Sequence, residues 1–594
     1  MENNETLQFA YEECQRYLEK MAPAENITIT IEAESLEDDF DDAFSIKFKN
    51  NHLHIIGRQA RSSLIAVYFF LNHLGARFLS PTQEYIPQVS LADLNIALDE
   101  KADLRHRGVC IEGANSIENI LDFIDYLPKI YMNSFFVQFN SPQPFLKRYY
   151  EHMNNELFEP ETVDYQAMSE LVDQAMAKRG LIHHRVGHGW TSQVLGFDFD
   201  LAWDQGYTID ATQKQMVAEL DGKKALHLGS PTMTSLCLHE SAVKTRFVQV
   251  VLDYAQARKD VDILHIWLSD AFNNVCECED CVKTTVADQY IEILNMIDAA
   301  MTENNLSQKI CFLLYQELLW PAEKEKLNNE SRFIMMFAPI TRPFEISYAQ
   351  HQAIQKPIPY VRNKISLPNG LEENMSFLKA WQANFNGDQF VYDYPLGRAH
   401  YGDLGYLKIS DTIAADIPYL KKMHLNGYIS CQELRVSLPH AYPNYVMGHL
   451  LWQNDLDEKA LRKDYFKHLF GSDYQVVLDY YTDLSHFSSP DYFNGKGPRI
   501  DQQKAAQFAQ LYQVSQSLSL DAHNLKRQAQ IRYHQMLAEK LAKILWYKAQ
   551  GLKTAELWLE LKTLIQKNEP FYQSLFDVYR FIEIGQNYTQ LNQD

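Results

Sequence analysis

Between residues 104 and 433, eight short apolar segments alternate with stretches of helical periodicity, and this alternation narrows the possible folds more than any other feature of the chain. The segments are residues 105–111, 134–139, 181–186, 263–268, 310–315, 333–337, 389–392 and 427–431. Their near-continuous apolar character suits strands buried on both faces, as a parallel sheet requires. Intervening stretches such as 117–127 and 286–301 repeat apolar residues at i, i+3, i+4 and i+7, the pattern of a crossover helix lying on a sheet. Eight such units in about 330 residues predict an α/β chain built on a central (β/α)8 barrel with insertions. An open doubly wound sheet alternates in the same way, but no dinucleotide fingerprint accompanies it here.

The flanks read differently. In residues 1–95 the runs ITITIEA, FSIKFKN and HLHIIG alternate with period two, and residues 59–74 have helical spacing up to Gly75. This predicts a small N-terminal α/β domain. The strand-to-helix junction Gly57-Arg58-Gln59-Ala60-Arg61 lacks a glycine-rich phosphate fingerprint and reads as a structural turn. The barrel is assigned to residues 96–454. After about residue 455 strand patterns disappear, and residues 525–547 are helical up to a stop at Gly551, so residues 455–594 predict a C-terminal helical domain.

Charge excludes some functions. With 55 basic and 77 acidic residues the formal charge is −22, and no Lys/Arg-rich run offsets it, so nucleic acid is not an expected partner. The opening MENNETLQFAYEEC has no basic and apolar leader pattern, and no stretch approaches 18 uninterrupted apolar residues, so we expect a soluble, cytoplasmic protein with no membrane partner.

In a (β/α)8 barrel, polar residues just past the strand carboxyl ends face the active-site mouth. This selects Arg107 and Glu112 from strand one, Gln138 and Asn140 from strand two, and His184, His188 and Trp190 from strand three. Strand four contributes Asp270, Asn273 and Asn274, and strand five Gln316 and Glu317. Strands seven and eight contribute Tyr392, Asp393, Glu433 and Arg435. Carboxylates recur at five of the eight ends, the provision that glycosidic cleavage needs: an acid for the leaving oxygen and a second group that stabilises or activates. No serine elbow or phosphate loop competes. We expect an oligosaccharide substrate, with His188 hydrogen-bonding it and Trp190 as a stacking platform. No organic cofactor is expected. Ligation of a catalytic metal by His183, His184 and His188 is a weaker alternative.

After strand four comes Cys276-Glu277-Cys278-Glu279-Asp280-Cys281, and Cys237 precedes the helix leading into that strand. These four cysteines suit a structural zinc site, with His239 as a substitute for Cys237. Uncoordinated thiols and an iron–sulfur cluster stay open.

Residues 53–81, LHIIGR through AVYFFLNHLGARFLSP, resemble the small α/β domain that precedes the barrel in family 20 β-hexosaminidases and family 67 α-glucuronidases. The segment ILHIWLSD, residues 263–270, followed by Asn273-Asn274 and the cysteine cluster, resembles the bacterial group called domain of unknown function 4838, which includes family 163 endo-β-N-acetylglucosaminidases. The resemblance implies retaining hydrolysis in which the substrate's own 2-acetamido oxygen attacks the anomeric carbon. In family 20 an Asp-Glu pair after strand four orients the acetamide and protonates the leaving oxygen. Asp270 matches the first position, but Ala271 stands at the second, and Glu317 is the substitute acid. The resemblance also implies sugar-binding roles for Arg107, Tyr392 and Glu433. Two other functions stay open. One is an inverting glycosidase on a uronic acid, with Asp393 or Glu433 as base and Arg435 pairing with the sugar carboxylate. The other is a non-catalytic carbohydrate-binding protein.

Overall fold

In the computed structural model, which describes residues 4–35, 39–151, 163–519 and 525–593, all eight segments are strands of one closed parallel barrel. They run His106–Glu112, Ser134–Val137, Ile182–Gly187, Ile263–Ile266, Lys309–Leu314, Phe333–Phe337, Asp388–Asp393 and Gly427–Glu433. The eighth strand closes on the first, from Gly427 beside His106 to Glu433 beside Glu112. Both faces of these strands are buried, which is why the apolar runs show no alternation.

The barrel interior is packed, not hollow. Phe136, Ile182, Ile263, Met336, Phe390 and Ile429 fill it. His184 and His265 share this core: Phe136 stacks on His265 at 4.0 Å, and the two imidazoles lie 3.0 Å apart, Nδ1 to Nε2. Burial holds both far below the ordinary histidine range, so both are neutral. His183, one residue away, faces outward toward Asp173 and Asp260. Because neighbouring strand residues point to opposite faces, His183 and His184 cannot share a metal.

The N-terminal unit is a four-stranded sheet, ordered Thr28–Ala33, His52–Gly57, Ala43–Lys49 and Ile96–Lys101. Ile96–Lys101 was assigned by sequence to the barrel; it instead pairs along Ala43–Phe48 as an edge strand, so this unit extends past residue 95. A helix the sequence reading omitted, Glu5–Met21, packs Phe9, Cys14, Tyr17 and Met21 toward Ala60–His73. Its buried stripe is embedded in acidic residues, which masked the helical period. Gly57 stands where a Cβ would lie 2.4 Å from the Ser63 backbone nitrogen, so the junction is a tight structural turn.

The C-terminal region consists of the helices Glu458–Phe470, Tyr474–Phe487, Gln502–Ser515, Leu525–Ala549, Ala555–Tyr572 and Val578–Asn587, with shorter turns between them. Its end docks on the carboxyl end of the barrel, where Ser437 N donates to Leu575 O at 2.9 Å. Among the described residues no helix is long and apolar enough to cross a membrane. A cavity of about 560 Å³ opens at the opposite end of the barrel beside Arg105, Lys309 and Asp388. Barrel chemistry belongs at the carboxyl end, so the smaller cavities there matter more.

Candidate active site

At the carboxyl end of strand four the chain runs Trp267-Leu268-Ser269-Asp270. Trp267 is the floor of the mouth: its ring meets His188 edge-on at 4.7 Å and lies 5.9 Å from Tyr392. Gly187 permits this. At φ +86° a Cβ there would sit 2.9 Å from the Trp267 ring, so strand three must end in glycine for the indole to close over the barrel. We expect Gly187→Ala to displace Trp267 and lower both stability and turnover. Unchanged tryptophan fluorescence and activity in that variant would show that the floor tolerates the methyl.

Asp270 stands above this floor. Trp203 Nε1 donates to its Oδ2 at 2.7 Å, and His188 Nε2 lies 3.6 Å from the same oxygen. Burial depresses the His188 pKa more than Asp270 and Glu112 raise it, so the imidazole is neutral near pH 7. The contact is therefore a polar neighbour, not an ion pair. Trp267 Nε1 and His188 Nδ1 are buried without a protein partner among the described residues. Orphaned buried donors and acceptors are rare, and beside a carboxylate at a barrel mouth they suit a polyhydroxylated ligand.

Glu317 follows strand five and is almost fully buried. Asn273 N donates to its Oε1 at 2.6 Å. Burial raises its pKa above the ordinary carboxyl value, outweighing that hydrogen bond and Arg362. His188, Ser269, Tyr315 and Glu317 border one cavity of about 30 Å³, room for a water.

A second carboxylate pair stands on the adjacent strands one and eight. Glu112 and Glu433 are register partners at the carboxyl ends. Burial raises Glu433 well above the carboxyl range, assisted by Asp577. It receives the Tyr401 hydroxyl, and Arg580 Nε lies 3.7 Å from its Oε1. Burial also pushes Glu112 up, but Arg580 and Arg148 outweigh it and the net shift is downward. Arg148 Nη1 lies 3.2 Å from Glu112 and Arg580 Nη2 3.8 Å.

Several residues selected by sequence are placed elsewhere. Arg107 is the second residue of strand one, so it stands at the amino end of the barrel, away from the mouth, and pairs at 2.7 Å with Asp42. Trp190 is fully buried, donates to His265 O at 2.7 Å, and packs on Phe199 and Tyr254, so it offers no platform. Asn273 uses its side-chain amide on Ile365, donating at 3.0 Å and accepting at 2.9 Å. Asp393 is bound to Arg342 at 2.9 Å and accepts the Tyr348 hydroxyl at 3.0 Å, which occupies the oxygen a base would use. Arg435 pairs with Asp577 at 2.9 Å and is sealed under the C-terminal region. Tyr392 remains at the floor, in contact with Trp267. Sequence missed Trp203 and Arg580, because one sits in an irregular loop and the other in a domain without strand-end logic.

The sulfur atoms of Cys237, Cys276, Cys278 and Cys281 lie within 4.8 Å of one another. They form a compact group beside the loop that carries Asp270.

The barrel and its flanking units have the fold of solved glycoside hydrolases. Residues 212–483 match the family model described as Domain of unknown function (DUF4838), the group the cysteine cluster had suggested. Solved structures with the same fold include a GH138 enzyme targeting pectin rhamnogalacturonan II, at 9% identity and TM-score 0.52 over 98% of this chain and 92% of that one. A family GH115 4-O-methyl-α-glucuronidase with specificity for decorated arabinogalactans matches at 11% and 0.56, over 99% and 78%. A family 89 glycoside hydrolase from Clostridium perfringens in complex with 2-acetamido-1,2-dideoxynojirmycin matches at 12% and 0.51, over 99% and 65%. No curated protein matches the chain.

Proposed function

We propose that this protein is a glycoside hydrolase acting on N-acetylhexosamine-containing oligosaccharides of the β-GlcNAc type, with retention through the substrate's 2-acetamido group. The observation that carries this is Asp270, held by the Trp203 indole beside a neutral His188 and above the Trp267 floor. A carboxylate so fixed suits the positive charge that develops on an acetamide as its carbonyl oxygen bonds to the anomeric carbon. Glu317, whose pKa burial raises, gives its proton to the leaving oxygen as the glycosidic bond breaks. Water then attacks the anomeric carbon, Glu317 takes its proton, and the acetamide is restored. A fold-mate holding a 2-acetamido compound is consistent with a site shaped for that group.

A second reading rests on Glu112 and Glu433, whose environments push their pKa values apart, as an acid and a base require. It suits the uronic-acid alternative, and a 4-O-methyl-α-glucuronidase is among the structures of like fold. Asp393 and Arg435 no longer serve it, since each is locked in a buried ion pair.

The test is a panel of nitrophenyl glycosides, N-glycan fragments and aldobiouronic acids. We expect turnover of N-acetyl-β-glucosaminides and inhibition by a thiazoline analogue of N-acetylglucosamine. Turnover confined to uronides, with loss in Glu433→Gln, would transfer the chemistry to the second pair. No turnover of any glycoside would leave the carbohydrate-binding alternative.

A further inference from the structure

The cysteine cluster has no part in the proposed chemistry, yet it brings four sulfurs within 4.8 Å of one another. We propose that Cys237, Cys276, Cys278 and Cys281 bind one zinc ion as a tetrathiolate, and that this ion holds the loop between Asp270 and the following helix in its working position.

Distances support a single tetrahedral ion. Cys237 Sγ lies 3.8 Å from Cys278 Sγ and 3.8 Å from Cys281 Sγ, and all four sulfurs fall within 4.8 Å. Zinc–sulfur bonds of about 2.3 Å in a tetrahedron separate the sulfurs by about 3.8 Å. A disulfide would bring two of them to about 2.05 Å, and all four cysteines are free. A cluster of several irons would spread the sulfurs over a larger polyhedron than this one. His239, the alternative to Cys237, is turned away: its Nε2 lies 3.4 Å from Asp280 and its side chain is half exposed.

The surroundings do not account for four thiols packed together. Their cluster contains only Ala218 besides the cysteines, so the sulfurs pack chiefly on one another. They are instead provided for as anions. Glu219 N donates to Cys276 Sγ at 3.3 Å and Cys281 N to Cys278 Sγ at 3.5 Å. The Arg362 guanidinium sits over the loop, donating to the carbonyls of Cys276, Cys281 and Thr284 at 2.9, 2.7 and 2.6 Å. Four thiolates on a dication carry two net negative charges, which these donors offset.

The same loop leads into the mouth. Asn363 brackets Val275, accepting from its N–H at 2.9 Å and donating to its carbonyl at 2.8 Å. Two residues further on, Ile365 pairs with Asn273, whose N–H holds Glu317. Without regular secondary structure from Asp270 to Asp280, this segment depends on such ties. The ion joins it to Cys237, which precedes the helix Ser241–Ala257, and so connects two stretches far apart in the chain.

The test uses the full-length protein, purified without chelator from zinc-supplemented cells. We expect about one zinc per chain by elemental analysis, with Cys278, the one of the eight cysteines that is not buried, protected from thiol reagents until the metal is removed. Removing zinc with a strong chelator should lower the thermal midpoint, and adding zinc back should restore it. Cobalt substitution should produce the sulfur-to-metal charge-transfer absorption of tetrahedral thiolate coordination. These readouts do not involve glycosidase activity, so they stand even if the proposed reaction is wrong. Below about 0.2 zinc per chain, stoichiometric iron, or a Cys278 thiol that reacts freely in the native protein would overturn the assignment. Should Cys276→Ser fail to fold, chelation and reconstitution of the unmodified protein still decide it.

Discussion

Asp270→Asn should lower kcat by roughly 100-fold or more on an aryl N-acetyl-β-glucosaminide, about 2.7 kcal/mol of transition-state stabilisation. The amide keeps the shape of the side chain and can still meet the Trp203 indole, but it cannot offer negative charge to the forming oxazolinium. A good leaving group gives no relief, because the charge is needed whatever departs. Glu317→Gln should separate the two classes of substrate. A nitrophenolate leaves with little protonation, so its turnover should survive far better than that of a natural oligosaccharide. Because burial raises the Glu317 pKa, the fall of kcat/KM as pH rises through that value should vanish in the variant. Natural-substrate turnover that survives Glu317→Gln would remove it as the acid and point to Glu433.

The largest stability effect is expected far from the mouth, at Asp42. Its carboxylate is wholly buried between Arg61, from the helix Ala60–His73, and Arg107, from barrel strand one. Ser62 and Asn133 donate to it at 2.7 and 2.8 Å. Asp42→Ala removes the buried carboxylate that these two guanidiniums share, a loss of about 3–5 kcal/mol. A fall in the urea or thermal midpoint of less than a few degrees would show that the pair is dispensable. Burial pushes the Asp42 pKa up, but Arg61 and Arg107 outweigh it and hold it at about 2. Its stabilisation is therefore complete above the unfolded value of about 3.9 and is lost as pH falls through about 2. Acid unfolding of the unmodified protein should begin lower than that of Asp42→Asn.

Arg107 shows why strand ends were legible while their side chains were not. Its place on strand one was read correctly, but only the closed barrel reveals that the guanidinium turns back to Asp42 rather than toward the mouth. Trp190 and Arg435 repeat the lesson. Each follows a strand, and each is taken by a partner distant in sequence, His265 or Asp577. Trp203 and Arg580 were illegible for the converse reason, since nothing local marks a loop tryptophan or a helix arginine as bordering a barrel mouth.

What the sequence determined by itself was periodicity and spacing: eight doubly buried strands, the flanking α/β and helical units, and four cysteines at ligand-like intervals. These are properties of neighbours along the chain, set by which faces must leave water. Tertiary structure alone decided which carboxylates stay unpaired. Asp270 meets an indole and a neutral imidazole, whereas Asp393 is neutralised by Arg342 and Glu112 is shared between two arginines. Burial and the charge of distant residues set those outcomes, and both arise only when the barrel closes and the C-terminal helices dock on it.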